Sequence, residues 1–391
     1  MRFDPILRSR SSARRARTCL IVTISFLLLP PSLRCADLPL LYDGCTLRVP
    51  AKVEGKKAYL IFDTGSTVSG LDRTTYLSQL GDPIAEVRAS SISGLTAMNL
   101  YHCPQIIIGD LVAFFDKIAA VDLSRVDTIS GSECDGILGA DFAQRYVISI
   151  NFDKQLFRIE DETEEKQPTD AFRIPLKPIG NGNLAVETIV EGVTVTLMID
   201  TGDNGSISLN PDDWSRVVKA HPDADVHTIL TAPISGPPIQ SAAVRINDLT
   251  VGPNHYRGFV ATALPNPQTP STLGLRFLRQ HIARFDFQKR ELFLRSGSAF
   301  GERETLDMSG LHLIRRGGVT LVYAVDQGSP ADAVGIRPGD ELDMLNQVPA
   351  ATLTMRDIRR ILKSNDGNAV CLGIRRGAQF ANEHLRLKKR L

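Results

Sequence analysis

The sequence predicts a mainly β protein built as two copies of one β unit followed by a smaller α+β module. A short apolar strand ending in Asp-Thr-Gly occurs twice, at residues 59–66 (Tyr-Leu-Ile-Phe-Asp-Thr-Gly-Ser) and 196–203 (Thr-Leu-Met-Ile-Asp-Thr-Gly-Asp), an offset of 137. A second element, residues 136–142 (Gly-Ile-Leu-Gly-Ala-Asp-Phe), returns as 271–277 (Ser-Thr-Leu-Gly-Leu-Arg-Phe) at an offset of 135. Between them Ile92-Ser93-Gly94 answers Ile234-Ser235-Gly236, and Asp110-Leu111 answers Asp248-Leu249. Landmarks in one order at nearly constant spacing indicate an internal duplication. Beyond Arg295 both pattern and charge change: residues 306–391 carry 13 basic and 9 acidic groups, a balance of +4, while residues 37–305 stand at −9.

From the N-terminus, residues 1–36 hold seven Arg against one Asp, and an apolar run of eleven residues, 19–29, ends at Pro30-Pro31. At about 1.5 Å per residue such a run falls far short of the ~30 Å hydrocarbon core. It reads as a secretory signal cut near Ala36, with an uncleaved anchor as the alternative. No membrane span is expected once it is removed. The remaining 355 residues have a net charge of −5. They offer no broad basic face, so nucleic acid is excluded as a partner. Export would allow one disulfide among Cys45, Cys103 and Cys134, with the pairing left open. Cys-x-x-Cys and His-Glu-x-x-His are absent and the seven His are scattered, so neither a metal site nor a cofactor is expected.

The repeated units run over about 37–160 and 171–297. Residues 47–53 alternate, 58–62 form an apolar strand bounded by Gly, and 106–108 end at Gly109-Asp110, all short runs punctuated by turn residues. Residues 161–170 are a charged, Pro-containing linker. The third module spans 306–391. It has a strand at 318–325, a turn and short helix at 328–340, and a helix at 355–362 with Met355, Ile358 and Leu362 on one face. Strands at 370–374 and 385–387 close it, and the basic stretch 386–390 reads as a solvated strand end.

Two Asp-Thr-Gly motifs, each capping an apolar strand and each followed by a hydrophobic-hydrophobic-Gly element, resemble the aspartic peptidases over both units. The resemblance implies two retropepsin-like acid-protease β-barrel lobes meeting at a pseudo-twofold axis, each lending one Asp to a shared site. Two carboxylates about 3 Å apart cannot both ionise, so Asp63 and Asp200 would hold one proton and do acid and base work on a water and a peptide carbonyl. Gly65 and Gly202 would permit the tight turns, with Ser66 following in the first unit. Thr64 and Thr201 would cross-bond the lobes, and Gly139 and Gly274 would leave room for backbone beneath the turns. Gly94 and Gly236 fall where such enzymes carry a flap tip, so each lobe would have its own flap. The implied activity is that of an aspartic endopeptidase acting on polypeptide.

The last module resembles the PDZ domains of bacterial envelope proteases, through Gly328-Ser329-Pro330-Ala331 and Gly335-Ile-Arg-Pro338-Gly339-Asp340. That resemblance implies a groove binding a peptide or protein C-terminus, with Gly310 and Leu311 as the carboxylate loop and Ile358 and Leu362 as walls. It also points to the bacterial periplasm or the medium, free or tethered by the N-terminal segment. Asp203 departs from the motif, which expects Ser, Thr or Ala; it would either raise the pKa of the dyad or face solvent. This departure supports an alternative, a non-catalytic peptide-binding protein on the same fold. Cys134-Asp135 and Trp214 read as structural.

Overall fold

The computed structural model describes residues 36–391 except 92–93, 161–169, 181 and 232–237. Residues 1–35 of the signal reading and most of the 161–170 linker therefore lie outside the described residues, as does Gly236. The fold is mainly β, two lobes followed by an α+β domain.

Each lobe carries a ten-stranded sheet, and the two sheets run through their strands in the same order. In the first, Lys56–Phe62 alternates so that Ala58, Leu60 and Phe62 enter the core. Val193–Ile199 does the same in the second with Val195, Leu197 and Ile199. Period-two burial is what a half-buried strand demands. Each of these strands ends at its Asp and lies parallel to the strand before the later Gly, Gly136–Leu138 in one lobe and Thr272–Leu273 in the other. A third sheet of six strands joins the lobes, with Val147–Asn151 of the first paired antiparallel to His281–Asp286 of the second. One continuous apolar core runs through both lobes. This shared sheet and core fix the two Asp-bearing strand ends relative to each other.

The C-terminal domain is a six-stranded sheet with its own core. Its helix Met355–Leu362 starts at Thr354, which accepts a hydrogen bond from the Asp357 N–H, and buries Met355, Ile358 and Leu362. Among the described residues a helix at Ser124–Ser130 has no counterpart in the second lobe; Gly131 closes it in a left-handed conformation. It packs against the C-terminal domain's first strand, Leu311–Arg316.

Two expectations change. All four described cysteines are free thiols. Cys134 is buried with Leu123, Val126, Ile61 and Ile137 beside the Ser124–Ser130 helix, and burial pushes its thiol well up. The basic C-terminal stretch is solvated only in part: Arg386, Lys388 and Lys389 are exposed, but Arg390 pairs with Asp326 and donates to the Thr228 carbonyl of the second lobe at 3.1 Å. Gly94 lies at the closed end of the hairpin Ala85–Ser91/Gly94–Tyr101, paired with Ser91 and with φ +114°. Trp214 is partly buried against the common core.

Candidate active site

The two Asp-Thr-Gly loops meet between the lobes. The Asp63 and Asp200 carboxyls are in hydrogen-bonding contact. One oxygen of each is anchored by two backbone N–H groups of its own loop. Asp63 Oδ1 accepts from Gly65 at 2.9 Å and Ser66 at 3.1 Å. Asp200 Oδ1 accepts from Gly202 at 2.8 Å and Asp203 at 3.1 Å. The threonines lock the loops reciprocally. Thr64 N–H donates to Thr201 Oγ1 (3.0 Å) while Thr64 Oγ1 donates to the Ile199 carbonyl (2.7 Å). In return Thr201 N–H donates to Thr64 Oγ1 (3.1 Å) and Thr201 Oγ1 to the Phe62 carbonyl (2.7 Å). Both threonines are buried, so each bond is shielded from competing water.

Gly65 and Gly202 are needed for a reason that the motif alone does not reveal. Neither has a positive φ. A Cβ on Gly65 would lie 2.5 Å from the Asp200 carboxyl, and a Cβ on Gly202 would overlap that of Asp63. Each glycine leaves space for the opposite lobe's carboxyl. Gly139 and Gly274 serve beneath the loops, where a Cβ would approach the Ser66 and Asp203 carbonyls to 2.8 Å.

Burial raises both carboxyls above the ordinary value of 3.8. Asp200 is raised further, because the Asp63 charge adds to its burial, followed by that of Asp203. The two carboxyls accordingly titrate as one pair that shares a proton. Asp203 is half-buried and turns its carboxylate onto its own lobe. Its carboxylate accepts from the Gly205 N–H (2.8 Å), Ser208 Oγ (2.7 Å) and Thr272 Oγ1, and its charge reaches the dyad only through space.

Asn183 was not legible as a site residue. Its buried side-chain amide crosses from the second lobe to donate to the Thr64 (2.8 Å) and Gly65 (3.0 Å) carbonyls. Nothing in the repeat announces it.

The flap positions divide. Gly94 belongs to a described hairpin, while the matching pair His227–Thr231/Ile239–Ile246 flanks the undescribed residues 232–237. Gly310 and Leu311 begin the C-terminal domain's first strand, but their N–H groups are already engaged. Asp307 Oδ1 takes those of Ser309 and Gly310 at 2.9 Å, and Ser309 Oγ takes that of Leu311 at 3.1 Å. Ile358 and Leu362 are buried in the domain core rather than lining an open groove. Beside them, Gly131 of the first lobe is wedged between Met355 of the helix and Arg315 of the strand, and Arg359 donates to the Ile129 carbonyl. Among the described residues no His, Cys, Asp and Glu cluster fit for a metal occurs, and no helix is long and apolar enough to cross a membrane.

Residues 186–277, within the second lobe, match the aspartyl protease family, and residues 321–376 match the PDZ domain family. Among solved structures the chain is similar to an aspartic proteinase from Irpex lacteus, at 12% identity and a TM-score of 0.48, over 69% of this chain and 99% of that one. No curated protein matches. The second lobe thus carries an aspartyl protease match and the C-terminal domain a PDZ match, and the first lobe repeats the strand plan of the second.

Proposed function

We propose that this protein is an aspartic endopeptidase with a single intramolecular site, exported by its N-terminal segment, whose PDZ domain engages polypeptide. The observation that supports it best is the contact between the Asp63 and Asp200 carboxyls inside the reciprocal threonine lock. Such a pair activates a water: Asp63 accepts its proton as the oxygen attacks the peptide carbonyl, and Asp200 donates a proton to the carbonyl oxygen. Collapse of the resulting diol returns a proton to Asp200, and Asp63 delivers its own to the leaving amine. The dyad is restored and no covalent enzyme intermediate forms.

The raised values support an upward-shifted pH window. Activity needs one proton on the pair, so it falls at low pH when the pair takes a second proton and at high pH when it loses the one it shares. Both limbs lie above where isolated carboxyls would put them.

The PDZ part of the reading carries a condition. A polypeptide adding along Leu311–Arg316 competes with the Ser124–Ser130 helix, and a free C-terminus competes with the Asp307 carboxylate. Peptide hydrolysis between about pH 3 and 8 by wild type, Asp63→Asn and Asp200→Asn tests the central reading. Each substitution should lower kcat by about 10²- to 10⁴-fold. Activity surviving either one rejects it.

A further inference from the structure

Beneath the first catalytic loop, Ser69 is held by a carboxylate of its own lobe: Asp141 accepts from the Ser69 N–H (3.0 Å) and hydroxyl (2.6 Å). Ser206 stands as far beyond Asp200 as Ser69 does beyond Asp63. The residue matching Asp141 in the second lobe is Arg276, which cannot accept a hydrogen bond. The carboxylate comes instead from outside the lobe. Glu304, on the segment between the second lobe and the PDZ domain, accepts from Ser206 Oγ at 2.6 Å and the Val260 N–H at 2.8 Å, and pairs with Arg276. Its side chain is only 6% exposed. The backbone of the same residue is pinned: Glu304 N–H donates to the Gly258 carbonyl at 3.1 Å, and Arg245 donates to the Glu304 carbonyl at 3.0 Å. Arg245 also reaches the carbonyl of Leu391, at the far end of the PDZ domain, at 2.7 Å.

Resting on the peptidase reading, we propose that Glu304 is a positioning residue for the second catalytic loop. Its carboxylate holds Ser206, whose carbonyl accepts the Gly274 N–H at 2.8 Å, and so keeps residues 200–208 in the shape that presents Asp200 to Asp63. The junction to the PDZ domain is then a working part of the catalytic apparatus. The same Arg245 that grips Glu304 grips the last residue of the chain, so the seat of the PDZ domain and the shape of the loop are joined through one side chain.

The test uses the full chain carrying Glu304→Ala, Glu304→Asp, Ser206→Ala, and Ser206→Ala combined with Glu304→Ala. Glu304→Ala should lower kcat by about 10- to 100-fold with KM little changed, since a small misplacement of a reacting group is costly while distant subsites persist. Its alkaline limb should move to lower pH as Asp200 loses its enclosed contact, and Glu304→Asp should recover part of both. The double variant should be no worse than the poorer single one, because both ends of one bond have been cut. Amide exchange over residues 202–208, read without turnover, should quicken in the single variants. An unchanged limb, unchanged exchange and additive losses would overturn the proposal. If Glu304→Ala does not fold, Ser206→Ala read by the same limb and exchange decides it. A wild type inert to peptides sinks the peptidase reading instead, while the exchange measurement still decides what Glu304 holds.

Discussion

The two lobes repeat one plan of strands, yet each ties its Asp-Thr-Gly loop to a different neighbour. The first lobe is self-contained at this point, with Asp141 under Ser69, and spends its extra helix, Ser124–Ser130, on the PDZ domain. The second lobe lacks that helix and takes its carboxylate from Glu304. A duplicated site therefore need not be symmetrical in what supports it. The paired Asp and Thr side chains keep the twofold relation, while the parts around them make lobe-specific contacts with the third domain.

The largest way to sharpen this asymmetry lies in the dyad. Asp200 is pushed up further than Asp63, by its burial and then by the Asp63 charge. A carboxyl whose folded value exceeds its unfolded value binds protons more tightly when folded. Its stabilising contribution is therefore present in acid and lost as pH rises through the raised folded value. Asp200→Asn should remove that loss, raising Tm at pH 7 by a few degrees while leaving it nearly unchanged near pH 4. Asp63→Asn should raise it less. Equal shifts for the two, followed by calorimetry, would show that the lobes do not differ in how they hold charge.

What could be read from the chain follows the range of the interactions involved. The strands announced themselves through local alternation, and the Asp-Thr-Gly and Leu-Gly elements through their recurrence. Gly65 and Gly202 could be picked out, but the reason for them could not, because the atom each one makes room for is 135 residues or more away in sequence. Asn183 and Glu304 act across lobe boundaries and sit in no motif. Asp203 was legible as a departure from the pattern, but its surroundings were not, since Thr272, one of its partners, lies on a distant strand. The Gly310-Leu311 turn was visible as well, though not the Asp307 carboxylate and the Ser309 hydroxyl that already engage its two N–H groups.

A second break targets the helix found only in the first lobe. Gly131 has φ +71°, where a side chain costs about 1 kcal/mol, and a Cβ there would stand 2.5 Å from Met355 Cγ. Gly131→Ala should lower Tm by about 2–4 °C and speed amide exchange in Ser124–Ser130 and Met355–Leu362. Exchange in residues 200–208 should stay as it was, since Glu304 and not this helix supports that loop. Loosening confined to Ser124–Ser130 would mean that the helix does not bear on the PDZ domain.

The smallest expected effect separates the loops themselves. Asp203 occupies the place of Ser66, and its charge raises both members of the dyad through space. The second lobe accommodates it because Ser208 and Thr272, paired across adjacent strands, turn both hydroxyls onto its carboxylate. The pair at that register in the first lobe is Gly70 and Ile137, which has no hydroxyl to offer. An acid at position 66 would therefore be buried without donors from that pair, whereas Asp203 is solvated by the protein. Asp203→Asn keeps the shape and an acceptor oxygen but removes the charge. Both limbs of the pH–rate profile should then move to lower pH, by less than about one pH unit, with kcat at the optimum nearly unchanged. A profile that stays in place would mean that the hydroxyl cage screens Asp203 completely and that the two loops, despite one carrying an additional carboxylate, are electrostatically alike.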